Sequence, residues 1–511
     1  MFKKVTSLGL YGLDAFKVEV EADISGGLPC FDIVGLPDAA VKESKDRVRS
    51  ALKNSGFRYP TSRITINLAP GDVKKEGPIY DLPIMLAIML ADENIKFNAN
   101  LDECAFIGSL SLGGEIQRIN GVLPMVIKAK ELGIKKIFVP KENSPECSAV
   151  DSIEAFGVSR ISEIVEYFND FTTLEPIKKE QFSAEDNSPD IPDFKDVKGQ
   201  FEARRAIEIA AAGGHNILMI GSPGAGKSML AKRIPSILPD MTEDEAIQTT
   251  KVHSIAGILP SDVAILKRRP FRSPHHTISP AGLAGGGTIP KPGEISLANN
   301  GVLFLDELPE FSKTAMEILR QPIEDGVITI SRVSGTAVYP CNIMTVAAMN
   351  PCKCGYFGHP TRPCTCPPGA AAKYISKISY PLLDRFDIHV DVQPVEYDDL
   401  SNKSAGEPSS EIKKRVNAAR NRQLKRFAGT PVTCNAKMDS HMTRQFCKMT
   451  PAAEVLLKKS FEKFSLSARA YDKILKVALT IADIDGFDII DVPQISEAVQ
   501  YRSLDKKYWG R

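Results

Sequence analysis

The chain has 511 residues, of which 43% are hydrophobic and 25% are charged, and its formal net charge is +1. This composition is typical of a globular protein of several domains, and the charge excludes a global attraction to nucleic acid, so polyanion binding must rest on local basic patches. No apolar run reaches the roughly 18 residues that a bilayer span requires, and the N-terminus lacks the apolar stretch of a secretory signal. We therefore expect a cytoplasmic protein without a membrane partner.

The first 174 residues alternate strand-like runs such as FKVEVEADI and RITINLAP with helical stretches such as PIYDLPIMLAIMLADE. This alternation predicts a compact α/β or α+β domain over residues 1–174. Residues 175–196 are polar, contain prolines and have no periodicity, so we predict a linker there.

The middle of the chain, residues 197–395, contains short apolar runs within a helical background: HNILMIG, GVLFLDE, CNIMTVAAMN and FDIHVDV. Such continuous apolar runs predict a parallel sheet that is buried on both faces. Residues 396–511 have mostly helical patterns. The predicted fold class is therefore α/β, with a parallel-sheet core followed by a helical C-terminal domain.

The segment HNILMIGSPGAGKSMLAKRI contains G-x-x-x-x-G-K-S between an apolar strand and a helical pattern, the context that a phosphate loop requires. Backbone N–H groups of such a loop surround an anion, its lysine reaches the β and γ phosphates, and its serine supplies a hydroxyl to Mg²⁺. A glycine turn with a chance lysine does not account for the flanking strand and helix. We predict that ATP and Mg²⁺ bind at Gly221, Ser222, Pro223, Gly224, Ala225, Gly226, Lys227 and Ser228.

Polar residues follow two further apolar runs. GVLFLDELPEF places Asp306 and Glu307 after a strand pattern, at the edge where ligands bind in parallel sheets. We predict that Asp306 holds Mg²⁺ and that Glu307 polarises the attacking water. CNIMTVAAMN ends at Asn350, whose neutral amide could position that water, although a turn residue that ends a strand gives the same pattern.

The order of these three elements resembles that of the AAA+ ATPases. The strings RPFRSPHHTISPAGLAGGG, PKPGEISLANNGVLFLDELPEF and LLDRFDIHV resemble the magnesium-chelatase-like branch, and within it the group of competence protein M (ComM) and YifB. The resemblance implies an AAA+ core with an α-helical lid and a hexameric ring. It also implies that Arg385 is the arginine finger for the neighbouring subunit and that Arg469 is the sensor-2 arginine of the lid. From the residues alone, either arginine could be an ordinary surface or ion-pair residue.

The same resemblance implies a function. ComM-like proteins are hexameric helicases that promote branch migration during recombination of incoming DNA in natural transformation. We therefore expect an ATPase that translocates on single-stranded or branched DNA, with recombination proteins as partners. The alternatives are a chelatase-type remodeler of a protein or metal-insertion partner, an ATP-dependent protease and a nucleotide-gated scaffold.

A basic segment, LKRRPFRSPHHTIS, spans residues 266–279 between the phosphate loop and the Asp306–Glu307 pair. Its cations and its phenylalanine suit phosphate contacts and base stacking on DNA, although a solvated basic loop or an intersubunit contact fits equally well. The residues concerned are Lys267, Arg268, Arg269, Phe271 and Arg272.

Four of the ten cysteines form two C-x-C pairs directly behind Asn350, within residues 352–366. Cys352, Cys354, Cys364 and Cys366 have enough chain between the pairs to close a tetrahedron around Zn²⁺, and such a closed site would be structural. The usual zinc spacing is C-x-x-C, so reduced unliganded thiols or a redox pair remain alternatives.

The N-terminal strings KKEGPIYDLPIMLAIM and FIGSLSLGGEIQRINGVLPMVIKAKELG are similar to the proteolytic domain of Lon, which has a ribosomal-S5-like α/β fold. Ile79 and Leu123 stand at the positions of that family's serine and lysine, so both halves of the dyad are missing. Ser109, Ser111 and Lys128 have no evident partner base, and we interpret them as structural. We expect this domain to be a ring-forming or DNA-guiding scaffold.

Overall fold

A computed structural model describes residues 1–93, 95, 97, 101–180, 182–183, 191–287, 290–332, 335–395, 406–464, 466–502, 504 and 508. The chain forms two compact units. The first unit consists of Met1–Ser183, Glu243–Leu266 and Gly335–Tyr339, and the second of Ala184–Thr242, Lys267–Ser334 and Pro340–Arg511. Within the described ranges, every helix is too short or too polar to cross a lipid bilayer.

The predicted linker and the start of the predicted helical domain fall partly on residues outside the described ones. Residues 181 and 184–190 of the linker are among these, as are residues 396–405. The described end of the linker contains a 3-10 turn, Phe194–Asp196, whose Asp193 side chain accepts a hydrogen bond from the Lys195 N–H.

The N-terminal part of the first unit contains two main sheets and six helices among its described residues. The strands are β1 (Phe2–Tyr11), β2 (Asp14–Ser25), β3 (Cys30–Val34), β4 (Arg63–Ala69), β5 (Cys104–Phe106), β6 (Ser109–Leu110), β7 (Ile116–Gln117), β8 (Lys136–Pro140) and β9 (Glu154–Val158). The helices are α1 (Ala39–Lys42), α2 (Ser44–Asn54), α3 (Asp81–Ala91), α4 (Val122–Glu131), α5 (Ser144–Cys147) and α6 (Ile161–Phe168).

One sheet of this unit has the order β1-β2-β4-β3, in which β3 and β4 are parallel and the other pairs antiparallel. Strand β2 buries alternate residues, including Val18, Val20 and Ala22, as a strand with one face on a core must. Helices α3 and α4 pack on it. The second sheet is parallel, in the order β5-β8-β9, and rings of Phe106 and Phe138 stack at 5.0 Å in the core beside it.

The elements between residues 191 and 395 follow. The helices are α7 (Phe201–Gly213), α8 (Lys227–Ala231), α9 (Glu243–Ala256), α10 (Pro280–Ala284), α11 (Glu294–Leu297), α12 (Lys313–Ile318), α13 (Arg320–Asp325), α14 (Ala370–Ile375) and α15 (Tyr380–Leu383). The strands are β10 (Ile217–Gly221), β11 (Phe271–Arg272), β12 (Gly285–Gly286), β13 (Lys291–Pro292), β14 (Val302–Leu305), β15 (Val327–Arg332), β16 (Gly335–Pro340), β17 (Met344–Met349) and β18 (Ile388–Val392).

Helix α9 belongs to the first unit although the sequence places it after the phosphate loop. It packs on α4, and its Ser254 carbonyl accepts the Gly121 N–H at 3.1 Å. The Ser254 hydroxyl donates to the buried Glu146 carboxylate. The residues in contact are more than 100 positions apart in the sequence. The helical periodicity of α9 therefore could not show that it belongs to the first unit.

The second unit is built on a five-stranded sheet of order β11-β14-β17-β10-β18, with every adjacent pair parallel. Every residue of β10, β14 and β17 is buried, as expected for a parallel sheet covered on both faces. The α/β fold class predicted from the sequence is therefore confirmed. The C-terminal helices of the second unit are α16 (Ser409–Arg426), α17 (Ser440–Phe446), α18 (Pro451–Phe464), α19 (Ala468–Asp485) and α20 (Val492–Gln500).

Candidate nucleotide site and cysteine cluster

Three adjacent strands of the second unit end at one edge of the sheet, and each end carries residues of the predicted site. Strand β10 leads into the phosphate loop, β14 ends before Asp306, and β17 ends before Asn350. Because β17 pairs with both β10 and β14 in parallel register, the three carboxyl ends are neighbours. Ligands of open parallel sheets bind at such an edge.

The phosphate loop has the backbone that its glycines predict. Gly224 and Gly226 have φ values of 78° and 93°, a region that side-chain-bearing residues rarely adopt. Gly221 lies so close to β18 that a Cβ atom there would be 2.4 Å from the Val392 carbonyl oxygen. The loop therefore requires glycine at these positions for conformational and for steric reasons.

Lys227 is buried and is bonded to groups on both sides of the site. Its Nζ donates to the carbonyl oxygens of Gly221 at 2.8 Å and Ser222 at 2.9 Å, and to Asn350 Oδ1 at 3.0 Å. Burial lowers the pKa of Lys227 to about 8, against the opposing effect of Asp306 and Glu307. The sheet thus brings together the lysine and the asparagine that the sequence proposed separately.

Ser228 and Asp306 are also in contact. The Ser228 hydroxyl donates to Asp306 Oδ2 at 2.6 Å, and Asp306 Oδ1 accepts the Glu307 N–H at 3.0 Å. A hydroxyl and a carboxylate are hard oxygen donors of the kind that Mg²⁺ prefers. These two side chains fit the predicted magnesium site.

Glu307 has a left-handed backbone, with φ 53° and ψ 48°. Such a conformation costs on the order of 1 kcal/mol in a residue other than glycine and is concentrated at functional sites. His276 Nδ1 lies 3.6 Å from Glu307 Oε2. His276 lies within the basic segment 266–279, and no local sequence pattern indicated Glu307 as its neighbour.

Arg385 and Arg469 lie together, on a different cavity from the phosphate loop. Both approach Glu324 of α13: Arg385 Nη2 donates to its carboxylate, and Arg469 Nη2 lies 3.9 Å from Oε1. They line a cavity of about 460 Å³, and none of its described lining residues belongs to the phosphate loop. Arg469 remains 65% exposed in this arrangement. Glu324 was not identified from the sequence.

The four clustered cysteines converge in space. Cys352 Sγ lies 3.3 Å from Cys354 Sγ and 3.7 Å from Cys364 Sγ, and Cys354 and Cys364 are 3.5 Å apart. With Cys366, all four sulfur atoms lie within 4.8 Å of one another. Sulfur atoms about 2.3 Å from a tetrahedral Zn²⁺ are about 3.8 Å apart, so the cluster has the dimensions of a closed four-thiolate site. It could hold a metal ion.

Comparisons with known proteins agree with this architecture. The family described as "Magnesium chelatase, subunit ChlI" matches residues 193–400, "Subunit ChlI of Mg-chelatase" matches residues 20–143, and "Magnesium chelatase, subunit ChlI C-terminal" matches residues 406–502. Uncharacterized protein YifB of Escherichia coli (strain K12) is 42% identical over 498 residues, which cover 97% of this chain and 96% of YifB. Competence protein ComM of Haemophilus influenzae is 40% identical over 507 residues, which cover 98% of this chain and 97% of ComM.

The chain belongs to the magnesium-chelatase family of AAA+ proteins. The resemblance inferred from its motifs is confirmed, and so is the predicted AAA+ parallel-sheet core. Family membership indicates an ATPase and implies ATP and Mg²⁺ as ligands. Lon protease 2 of Bacillus subtilis is 27% identical over 151 residues, 29% of this chain and 26% of that protein, which fits an S5-like first unit.

The Lon-like positions of this magnesium-chelatase family member are occupied by buried apolar side chains. Ile79 is 7% exposed and Leu123 is fully buried. Ser109 Oγ lies 3.4 Å from Asp81 Oδ2, and that carboxylate is already engaged by Arg47 at 2.6 Å. Among the described residues, no histidine or lysine is hydrogen-bonded to Ser109, and the Lys128 amine donates to the Glu131 carboxylate.

Several side chains of the basic segment at 266–279 are bonded to, or packed on, other parts of the second unit. Arg269 donates to the carbonyl oxygens of Pro239 and Asn300, each at 2.7 Å. Arg272 makes two 2.6 Å hydrogen bonds with Glu294. The Phe271 ring lies on Phe304 of the central sheet, with centroids 6.0 Å apart.

These three side chains therefore contribute to the fold of the second unit. Their partners are distant in sequence, and for that reason the local pattern of charged and aromatic residues left a DNA contact, a solvated loop and an intersubunit contact open.

Proposed function

We propose that this protein is an ATP-driven, ring-forming DNA motor of the cytoplasm, acting as a branch-migration helicase in homologous recombination of incoming DNA during natural transformation. The observation that carries the ATPase part is the contact set at one sheet edge: Lys227 with Asn350, and Ser228 with Asp306. The DNA part rests on the near full-length similarity to a protein named for competence.

The residues of the site have separate tasks in this proposal. Lys227 binds the β and γ phosphates, and Ser228 and Asp306 hold Mg²⁺, which when bound neutralises charge on the phosphate oxygens. Lys227 must exchange its bonds to the loop carbonyls for phosphate oxygens as ATP enters. This exchange keeps a buried cation partnered at each stage, which a buried charge requires.

Glu307 accepts a proton from the attacking water, and Asn350 orients that water without adding negative charge near the γ-phosphate. The left-handed backbone of Glu307 and the hydrogen bond from its N–H to the Asp306 carboxylate fix the position from which the Glu307 side chain extends. His276, 3.6 Å from the Glu307 carboxylate, lies where it can orient it.

Arg385 acts on the nucleotide of a neighbouring subunit, and Arg469, the sensor-2 arginine, couples the nucleotide state to the angle of the lid. Both lie on a cavity that the phosphate loop of the same chain does not line. Glu324, the carboxylate partner of Arg385, occupies the place of a counter-charge that a neighbour's γ-phosphate would supply. A closed ring in which each subunit completes the next site follows from this division, and a hexamer is the state implied by the family.

The four thiols of Cys352, Cys354, Cys364 and Cys366 hold a structural Zn²⁺ in this proposal. Zinc with four sulfur ligands has no open position for water and therefore cross-links the chain without taking part in hydrolysis. All ten cysteines of the protein are free thiols, as metal binding by the cluster requires.

The experiment that tests the proposal is the ATPase rate on single-stranded, duplex and four-way-branched DNA of equal length, over a range of salt concentrations. We expect stimulation by single-stranded or branched DNA that falls steeply with salt, because phosphate contacts dominate affinity. Movement of a synthetic four-way junction then tests branch migration, and particle mass in solution tests the ring. Basal hydrolysis without stimulation by any DNA would contradict the DNA part alone.

The family match favours one alternative, a chelatase-type remodeler that acts on a protein or metal-insertion partner. It shares the ATPase site and differs in what stimulates turnover. ATPase stimulation by a partner protein, with no response to the DNA panel, would support it over the DNA motor.

A further inference from the structure

The segment that carries the four cysteines touches the phosphate loop. We call residues 350–366 the thiol segment. Gly355 lies against the ring of Pro223, so that a Cβ atom on Gly355 would be 2.3 Å from Pro223 Cδ and 2.5 Å from Cγ. Cβ contacts below 3.0 Å essentially never occur in proteins. The Pro223 ring therefore packs directly on the backbone of Gly355. Pro223 follows Ser222, whose carbonyl accepts a hydrogen bond from Lys227, and precedes Gly224 of the phosphate loop.

A second contact joins the same two segments. Asn350, at the start of the thiol segment, accepts a hydrogen bond from Lys227 at the end of the phosphate loop. The thiol segment thus contacts the phosphate loop at two places, at Pro223 and at Lys227. Two contacts restrain the orientation of the loop more than one contact does, because a loop held at one point can pivot about it.

The cysteine cluster sets the shape of the segment between these contacts. Cys352 is fully buried and its carbonyl accepts the Gly355 N–H at 3.0 Å. Cys354 precedes Gly355 directly, and its sulfur lies 3.5 Å from that of Cys364. The position of Gly355 therefore depends on whether the four sulfur atoms are held together.

We propose that the thiol segment is a positioning element for the phosphate loop, in which the closed cluster of four cysteines holds Gly355 against Pro223 and so maintains the loop in its nucleotide-binding shape. The inference rests on the proposed ATPase function and assigns the cysteines a role in it. The cluster takes a thiophilic divalent cation such as Zn²⁺. The cluster acts on the phosphate loop through the backbone of Gly355 and the ring of Pro223.

The decisive experiment compares two glycine variants of the full-length protein. Gly355→Ala introduces a methyl group into Pro223, and Gly369→Ala is its control. Gly369 has a φ value of 80°, close to the 86° of Gly355, but its added Cβ atom would meet nothing within 4 Å. Both variants place an alanine at a similar positive φ, and only in Gly355→Ala does the new methyl group meet the phosphate loop.

Two quantities are measured for each variant: bound metal by elemental analysis, and the Kd of a fluorescent ATP analogue. We expect Gly355→Ala to raise that Kd about tenfold, a change of 1.4 kcal/mol, with metal content unchanged, and Gly369→Ala to leave both quantities unchanged. Equal Kd values for Gly355→Ala and the wild type would overturn the proposal. Equal weakening in both variants would also overturn it, because strain and not contact would then be the cause.

A compensating change guards against a variant that simply misfolds. Pro223→Ala removes Cγ and Cδ, the atoms that the new methyl group would meet. Gly355→Ala combined with Pro223→Ala should bind nucleotide more tightly than Gly355→Ala alone. A double variant as weak as Gly355→Ala, or weaker, would count against a steric link.

The metal part has its own test. Cys364→Ser should lower both metal content and nucleotide affinity, whereas Cys30→Ser, a thiol in β3 of the first unit, should change neither. Metal loss without a change in nucleotide affinity would overturn the proposal, and purified protein without any bound transition metal would overturn the role given to the cluster. A wild type that binds no nucleotide would instead refute the proposed ATPase function.

Discussion

The two units use their buried polar groups differently. In the first unit, the buried Lys75 amine is bonded to the backbone carbonyls of Pro70 and Val73, and burial lowers the pKa of Lys75. The buried Asp81 carboxylate there is held by Arg47. These groups hold the fold together, and the positions where a Lon-like enzyme would carry its dyad are apolar.

In the second unit, the polar residues at the sheet edge contact one another across three strands. The lysine reaches the asparagine, and the serine reaches the aspartate. The two units thus differ in whether polar side chains converge at one place with partners that a ligand can replace. The fold alone does not decide between the two outcomes.

The largest expected effect tests whether the second unit's chemistry extends to another copy of the chain. Arg385→Ala removes the guanidinium assigned to the neighbour's γ-phosphate, and we expect kcat to fall about 10,000-fold with nucleotide binding retained. Arg320→Ala, on the helix that carries Glu324, is the control. Mixed with wild type, the Arg385 variant should depress activity more than dilution does, and a linear dependence on the wild-type fraction would exclude a role in trans.

Glu307→Gln tests the catalytic assignment within one subunit. The amide cannot accept the proton of the attacking water, so kcat should fall about 1000-fold while the Kd for ATP stays nearly constant. Steady-state ATPase assays and nucleotide titrations measure the two quantities. Glu310→Gln, three residues along on the same turn, should keep near-normal activity. Unaltered turnover in the Glu307 variant would remove this residue from the site.

Arg47→Met tests the interpretation that the buried polar groups of the first unit stabilise its fold. It leaves the fully buried Asp81 carboxylate without its cation, and we expect the free energy of unfolding of this unit to fall by about 3 kcal/mol. Ser109→Ala removes only a 3.4 Å contact to the same carboxylate and should cost less than 1 kcal/mol. Denaturant titrations measure both changes. Peptidase activity in the wild type that disappeared in Ser109→Ala would contradict a purely structural role for the first unit.

The smallest expected effect is a pH dependence of ATP binding. The pKa of Lys227 is lowered to about 8 by burial, so in the free protein its charged form predominates below that value and is lost above it. If the charged amine binds the phosphates, the Kd should be flat below about pH 8 and rise by at most about tenfold per pH unit above it. Titrations of a fluorescent nucleotide between pH 6.5 and 9.5 measure this. A Kd that stays flat across the range would contradict the role of Lys227.

The sequence was sufficient where the signal is local. A strand, a glycine loop and a helix follow each other within residues 215–234, and each of the other two strands ends directly at its polar residue. Because parallel strands share an edge, their convergence also followed from the sequence pattern. The burial of β10, β14 and β17 corresponds to largely apolar runs in the sequence.

Features that depend on distant partners were not accessible in this way. Arg272 looks the same in the sequence whether it meets DNA or Glu294, and the carboxylate shared by Arg385 and Arg469 has no motif of its own. The contact of Gly355 with Pro223 joins segments far apart in the chain. In each case the identity of a side chain was known, but its neighbour was set by packing.

The placement of α9 has a consequence for how the protein can be divided. The chain passes between the two units at residues 183, 242, 266, 334 and 339. A fragment ending at residue 183 would lack the Ser254 hydroxyl that bonds the buried Glu146. After cleavage in the 175–196 region, the N-terminal fragment would keep its packing against α9, which lies on the C-terminal fragment. The N-terminal unit consists of three separate stretches of the chain, so it cannot be transferred to another protein as one continuous segment.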